Sequence, residues 1–155
     1  MRKISNYLFM TLCVFILNSC SKDDVNGSNS SYWTLYGETY KVTSTLYDSR
    51  SELESLTAYT DDSYTSLSIY FGDKPTTAGL YDLTDFFVYE SSSPSSKATL
   101  GVAAYGSLYF ATGRTGDKLK VEILSNNKLK VTFSNIEVKR TGEKATTLSG
   151  VLIEQ

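Results

Sequence analysis

The chain is 155 residues long, 41% apolar and 21% charged, which is the composition of a folding domain and not of a disordered segment. It contains no histidine, and its two cysteines, Cys13 and Cys20, both stand near the start. Those two facts exclude a serine–histidine triad, a cysteine–histidine nucleophile, a histidine-ligated metal and, beyond residue 20, any disulfide framework.

Arg2 and Lys3 form a basic start, followed by an apolar run from Tyr7 to Leu17. At 11 residues this run is too short to cross a bilayer, which takes about 20. It reads as the hydrophobic region of a secretory leader. Leu17, Asn18, Ser19 and Cys20 follow. They resemble the lipobox of bacterial lipoproteins, with Asn18 a less usual occupant of its position. The resemblance implies that the Cys20 thiol accepts a diacylglyceryl group and that the peptidase cuts between Ser19 and Cys20. An ordinary signal-peptidase site would need a small residue where Leu17 stands. Two or more acyl chains, each contributing about 0.8 kcal/mol per buried methylene, anchor a protein stably where a single chain does not.

Ser21, Lys22, Asp23 and Asp24 come next. A lysine and acidic residues directly after the anchor resemble the export signal of surface lipoproteins in the phylum Bacteroidota. This segment points to the cell surface rather than the periplasmic face of the outer membrane. Val25 to Ser31 is a polar tether with little to bury. The chain is thus expected to divide into a signal peptide over 1–19, a lipidated cysteine and flexible tether over 20–31, and one domain over 32–155. Loss of Arg2 and Lys3 with the leader lowers 15 basic residues to 13 against 17 acidic ones, a net of −4. Such a balance argues against nucleic acid as a partner.

From Tyr40 onward the apolar period is two, the mark of strands with one buried and one wet face. Tyr40, Val42 and Leu46 alternate with Lys41, Thr43 and Thr45, and Leu67, Ile69 and Phe71 with Ser66, Ser68 and Tyr70. Leu119, Val121 and Ile123 alternate with charged residues, as do Leu129, Val131 and Phe133. Further strands are expected near 79–90, 98–104, 107–112 and 145–153. The stretch from Ser49 to Leu56 suits a helical turn, a strand or a loop equally. Turn residues separate the runs at 72–75, 91–94, 105–106, 115–117 and 141–142. About eight short strands predict an all-β fold, an antiparallel sandwich or an up-and-down partial barrel.

The last hairpin has a predictable register. Setting Ile123 opposite Val131 and Val121 opposite Phe133 requires an odd loop, either the three residues 126–128 or the five residues 125–129. After Phe133 the apolar positions move to Ile136 and Val138, a change of parity that predicts a bulge at Ser134 or Asn135. With Trp33, the Gly37 to Tyr40 stretch and the Pro75 to Tyr81 segment, this pattern is similar to small β domains of unknown function in Bacteroidota lipoproteins. The similarity implies fold and location and carries over no catalytic residue.

Little catalytic chemistry remains. Two carboxylates could hydrolyse a glycoside, and Asp61, Asp62, Asp73, Asp82, Asp85 and Glu90 are available. Turns, however, favour aspartate for local hydrogen bonding. Asp82 and Asp85 alone are too few for calcium, which takes six to eight oxygens. The Gly113 to Gly116 loop lacks the lysine–serine pair of a phosphate cradle. No enzyme, metal or cofactor is expected. The 12 tyrosines and Trp33 are the candidates for a binding surface, because a tyrosine ring offers an apolar face with a wet hydroxyl. Tyr59, Tyr64, Tyr70, Tyr89, Tyr105 and Tyr109 fall in or beside strands, and Trp33, Tyr64, Tyr70 and Tyr89 are singled out as a possible ligand platform. The expected role is a non-enzymatic, lipid-anchored envelope protein that binds or scaffolds a partner; the alternative is a surface glycan-binding lipoprotein. Three or more aromatics clustered on one face would favour the glycan.

Lipidation should depend on one thiol. Cys20→Ala is expected to abolish metabolic labelling with an alkyne fatty acid and to leave the leader attached, while Cys13→Ala changes neither.

Overall fold

The computed structural model describes residues 30–50, 53–62, 64–89 and 95–155. Ser19, Cys20, the Lys22, Asp23 and Asp24 segment, and Glu90 lie outside the described residues. The fold is all-β. The first strands are β1 (Tyr32–Leu35), β2 (Glu38–Lys41), β3 (Ser44–Asp48), β4 (Glu54–Tyr59), β5 (Ser66–Phe71) and β6 (Gly79–Leu83). They are followed by β7 (Lys97–Ala104), β8 (Ser107–Ala111), β9 (Lys118–Ile123), β10 (Leu129–Lys139) and β11 (Thr146–Ile153).

These eleven strands, against about eight expected, make one sheet in the order β2-β1-β11-β10-β9-β6-β7-β5-β4-β3, with β8 bridging β7 and β10. The sheet is mixed and not purely antiparallel, because the connection from β6 to β7 returns the chain in the same direction. The bridge closes a circuit of five hydrogen-bonded strands, β10, β9, β6, β7 and β8. Two arms extend from it, one through β11 to β2 and one through β5 to β3. The arms are joined covalently, because β2 runs through Val42 and Thr43 directly into β3. At that corner Val42 N–H donates to the Ser31 carbonyl and Thr43 N–H to the Tyr59 carbonyl. The Thr45 hydroxyl then donates to the Ile153 carbonyl and accepts from Gln155 N–H, at 2.8 and 2.9 Å. Lys74 completes the latch, pairing with Glu154 at 2.7 Å while its Nζ lies 4.4 Å above the Tyr47 ring.

The inward positions of nine strands form one connected core, with Trp33, Phe71, Leu100, Leu119 and Leu148 among its buried members. The period-two reading holds for β5, β7, β9, β10 and β11. It fails at the β2–β3 corner. There Thr45 is buried and Leu46 is 50% exposed, the reverse of the expected parity, since the chain changes direction between Val42 and Ser44. The strand expected near 79–90 ends at Leu83 and gives way to a turn over Phe86 to Val88. The open stretch before Leu56 resolves into β4, which starts at Glu54.

The last hairpin keeps the expected parity and slips by one pair. Leu129 faces Ile123, Val131 faces Val121 and Phe133 faces Leu119, in place of Ile123 opposite Val131. The observed register completes three apolar cross-strand pairs where the expected one completes two, and each large side chain kept from water contributes about 1.5–3 kcal/mol. The loop is odd, five residues from Leu124 to Lys128, and is closed by Leu124 N–H donating to the Lys128 carbonyl at 2.7 Å. Asn126 and Asn127 supply the two left-handed residues it needs, at φ 67° and 57°. The bulge lies where the parity change places it. The β10–β11 register shifts between Phe133 and Ile136, Asn135 takes φ 54°, and its N–H donates to Ser149 Oγ at 2.8 Å.

Beside the bulge and paired with Phe133, Gly150 marks a close backbone approach in the sheet. A Cβ there would stand 2.5 Å from the Tyr32 carbonyl oxygen and 2.9 Å from both Trp33 Cα and the Phe133 ring. Gly150→Ala should therefore destabilise the protein by about 1–3 kcal/mol, the usual penalty of overpacking. Chemical denaturation with an unchanged m-value checks it.

Candidate functional site

The four residues singled out as a platform do not come together. Trp33 is fully buried in the core, stacked on Tyr40 with centroids 5.5 Å apart, because β1 faces it inward with Leu35. Tyr89 is buried too, and its hydroxyl donates to the Lys97 carbonyl. Tyr70 lies on the outer face of β5, edge-on to Phe86. Tyr64 is 88% exposed on the β4–β5 turn. That turn is held by Asp62, which accepts from Tyr64 N–H, Thr65 N–H and the Thr60 and Thr65 hydroxyls. The Thr65 and Thr60 hydrogen bonds hold the Asp62 carboxyl down at about 2.

The other carboxylates also serve local structure. Asp85 accepts from Phe87 N–H, Asp82 pairs with Lys118 at 2.8 Å, and Asp117 receives Arg114 and Glu137 N–H. Asp73 lines a polar cleft of about 350 Å³ with Lys74, Thr76, Thr77 and Tyr81.

A different set of aromatics converges at the end of the fold formed by the β1–β2 and β7–β8 turns. Both turns are two-residue Tyr-Gly hairpins. Tyr36 and Gly37 take φ 53° and 79°, and Tyr105 and Gly106 take 53° and 67°. Positive φ at both central positions is the primed geometry that matches strand twist, and asparagine or glycine normally occupies the first position. A bulky residue held there costs about 1–3 kcal/mol. Tyrosine at both first positions is thus unfavourable for the turns themselves, and both rings stay half exposed, at 53% and 56%.

The two exposed rings meet edge-on at 6.3 Å. Tyr36 also meets Tyr109 of β8 at 5.9 Å, and Tyr105 meets Tyr40 of β2 at 6.1 Å. Glu38, the first residue after the β1–β2 turn, sits among them. Its carboxylate accepts from the Tyr40 hydroxyl at 3.3 Å and from the Tyr105 hydroxyl. Among the described residues it forms no ion pair. Burial, then the Tyr105 hydroxyl and Glu38, push the Tyr40 phenol up. The Glu38 hydrogen bond is the main cause of the rise at Tyr105, and burial is the main cause at Tyr109. All three phenols therefore remain neutral donors in ordinary buffers. Tyr105 and Tyr109 are among the tyrosines noted in or beside strands in the sequence, Tyr105 in the turn and Tyr109 in β8, whereas Tyr36 and Glu38 escape that reading. The available signal is the repeated Tyr-Gly pair at 36–37 and 105–106.

A second surface lies on the outer face of β3, β4, β5, β7 and β8. The ladders align Leu46, Thr57, Ser68, Gly101 and Phe110 in one row, and Ser44, Tyr59, Ser66, Ala103 and Leu108 in the next. Neither row holds a charged residue. Phe86 packs 4.4 Å from Phe110, and Phe87, 73% exposed, borders the face. The outer faces of β9 and β10, by contrast, carry Lys118, Lys120, Glu122 and Lys130.

The chain matches no protein-family model, no curated protein and no solved structure.

Replacing Glu38 removes the charge that opposes a phenolate beside it. Glu38→Gln should bring the Tyr105 titration to lower pH, with a smaller shift of Tyr40, and leave the burial-dominated Tyr109 in place. Phenolate absorbance followed through alkaline pH, with Tyr105→Phe as the assignment control, reads this directly.

Proposed function

We propose that the protein is a non-enzymatic binding module of the outer membrane, lipid-anchored through Cys20 and displayed at the cell surface, and that the tyrosine rim meets its ligand. One observation carries the choice of site: two tyrosines occupy turn positions that disfavour them, and their exposed rings meet each other, with Tyr40 beside Tyr105 and Glu38 accepting from the Tyr40 and Tyr105 phenols. Side chains kept at a cost to local backbone conformation point to a role outside folding. Lys22, Asp23 and Asp24 support surface display, and the tether between Cys20 and Tyr32 spans at most about 40 Å from the anchor to β1. The domain would then work close to the membrane.

An envelope glycan is the favoured class of partner over an envelope protein. The exposed Tyr36 and Tyr105 rings and the half-buried Tyr40, with the Glu38 carboxylate beside them, supply apolar walls and a hydrogen-bond acceptor for a substituted sugar.

The test uses the full-length lipoprotein in detergent. Tyr36→Asn with Tyr105→Asn suits the left-handed turn positions, so the fold is retained while both rings are lost. The wild type should capture a component of its own envelope, and the double variant should lose at least nine-tenths of that capture, on the order of a 1.4 kcal/mol loss. Undiminished capture by the folded double variant would exclude the rim as the binding surface.

A further inference from the structure

Resting on the rim as the binding surface, we propose that the group it recognises is an organic ammonium, a quaternary or methylated amine borne by the ligand. An envelope glycan can carry such a group as a substituent, and the rim suits the substituent better than a bare sugar ring, which stacks best on rings that share a plane. The rim's accessible rings share no plane: Tyr36 and Tyr105 are inclined at 63°, and Tyr40 and Tyr105 at 81°. Rings set near right angles present several faces and edges to one compact group. Such walls suit a cation with an apolar skin, which the negative faces of aromatic rings attract.

Charge points the same way. Glu38 accepts only from neutral phenols and has no cationic partner among the described residues. Arg140, the cation close to Tyr109, is engaged by Glu143 at 3.0 Å. A carboxylate held between the Tyr40 and Tyr105 phenols, with the exposed Tyr36 ring against Tyr105, is a site of negative potential lacking its counter-charge. An ammonium would supply that charge while keeping its methyl groups on the rings. A primary ammonium is strongly hydrated and loses more on leaving water, so methylation favours this site.

Choline is the probe, compared with its neutral carbon isostere, in which a tert-butyl group replaces the trimethylammonium. Binding to the full-length lipoprotein in detergent is read by tyrosine ring chemical shifts and by calorimetry. Choline should bind and the isostere should bind at least about tenfold more weakly, a difference of about 1.4 kcal/mol. Glu38→Gln should weaken choline about tenfold, and Tyr36→Asn with Tyr105→Asn should abolish binding. Tyr105→Phe keeps the ring and should retain most of it, which separates loss of a cation site from loss of fold. Phosphatidylcholine vesicles compared with phosphatidylglycerol vesicles then distinguish a lipid headgroup from a free amine. Equal binding of choline and the isostere would overturn the ammonium assignment, as would choline binding that ignores Glu38→Gln. Absence of choline binding, with envelope capture still dependent on Tyr36 and Tyr105, would overturn it and leave the rim as a binding surface for a neutral ligand.

Discussion

Strand β10 must face one core with two apolar segments of opposite parity, and the sheet is organised around that requirement. Leu129, Val131 and Phe133 point inward before the bulge, and Ile136 and Val138 after it. Without the extra residue at Ser134–Asn135, one segment would turn its side chains to water. Because the bulge keeps both inside, the lower half of β10 pairs with β9 while its upper half reaches β8 on the same edge. That second pairing closes the five-strand circuit. Gly150 lies beside the bulge, where the bulged strand and β1 approach too closely for any side chain.

Closure in turn decides where the loops meet. The β7–β8 turn belongs to the circuit, and the β1–β2 turn belongs to the arm that continues from β11. They are separated by about 70 residues of chain, yet the Tyr36 and Tyr105 rings are in contact and both turns share Glu38 through Tyr40 and Tyr105. Hydrogen bonds across the rim link the two hairpins. The rim is therefore a consequence of barrel-like closure and not of any local motif, and its tyrosines are held by turns whose backbone geometry favours smaller residues.

Charge is distributed unevenly over the outer surface. Lysines and glutamates on β9 and β10 pair across the ladder, as with Glu122 between Lys120 and Lys130, and solvate that side. The face spanning β3 to β8 relies on hydroxyls, such as Thr57 and Ser68 bonded to each other at 2.9 Å, and on the Phe86–Phe110 cluster. The exposed Phe87 is kept in place by the Asp85 side chain, which fixes the turn that carries it.

Alternation alone determined the class of this protein and the inward faces of β5, β9 and the first half of β10, because a period of two follows from strand geometry at each residue. It also determined the bulge, since a parity change between Phe133 and Ile136 has no other resolution within one strand. The register of the last hairpin was legible only to parity: every even slip preserves the buried face, and the choice among them rests on counting apolar pairs together with the Asn126–Asn127 turn. The parity of Leu46 was not legible, because the corner at Val42–Thr43 is imposed by joining the two arms of the sheet. Tertiary structure alone decided which aromatics are available. Trp33, Tyr89 and Tyr109 are taken into the interior by packing, and Tyr36, Tyr40 and Tyr105 are gathered by strand pairings between residues far apart in the chain, contacts that a local periodicity does not encode.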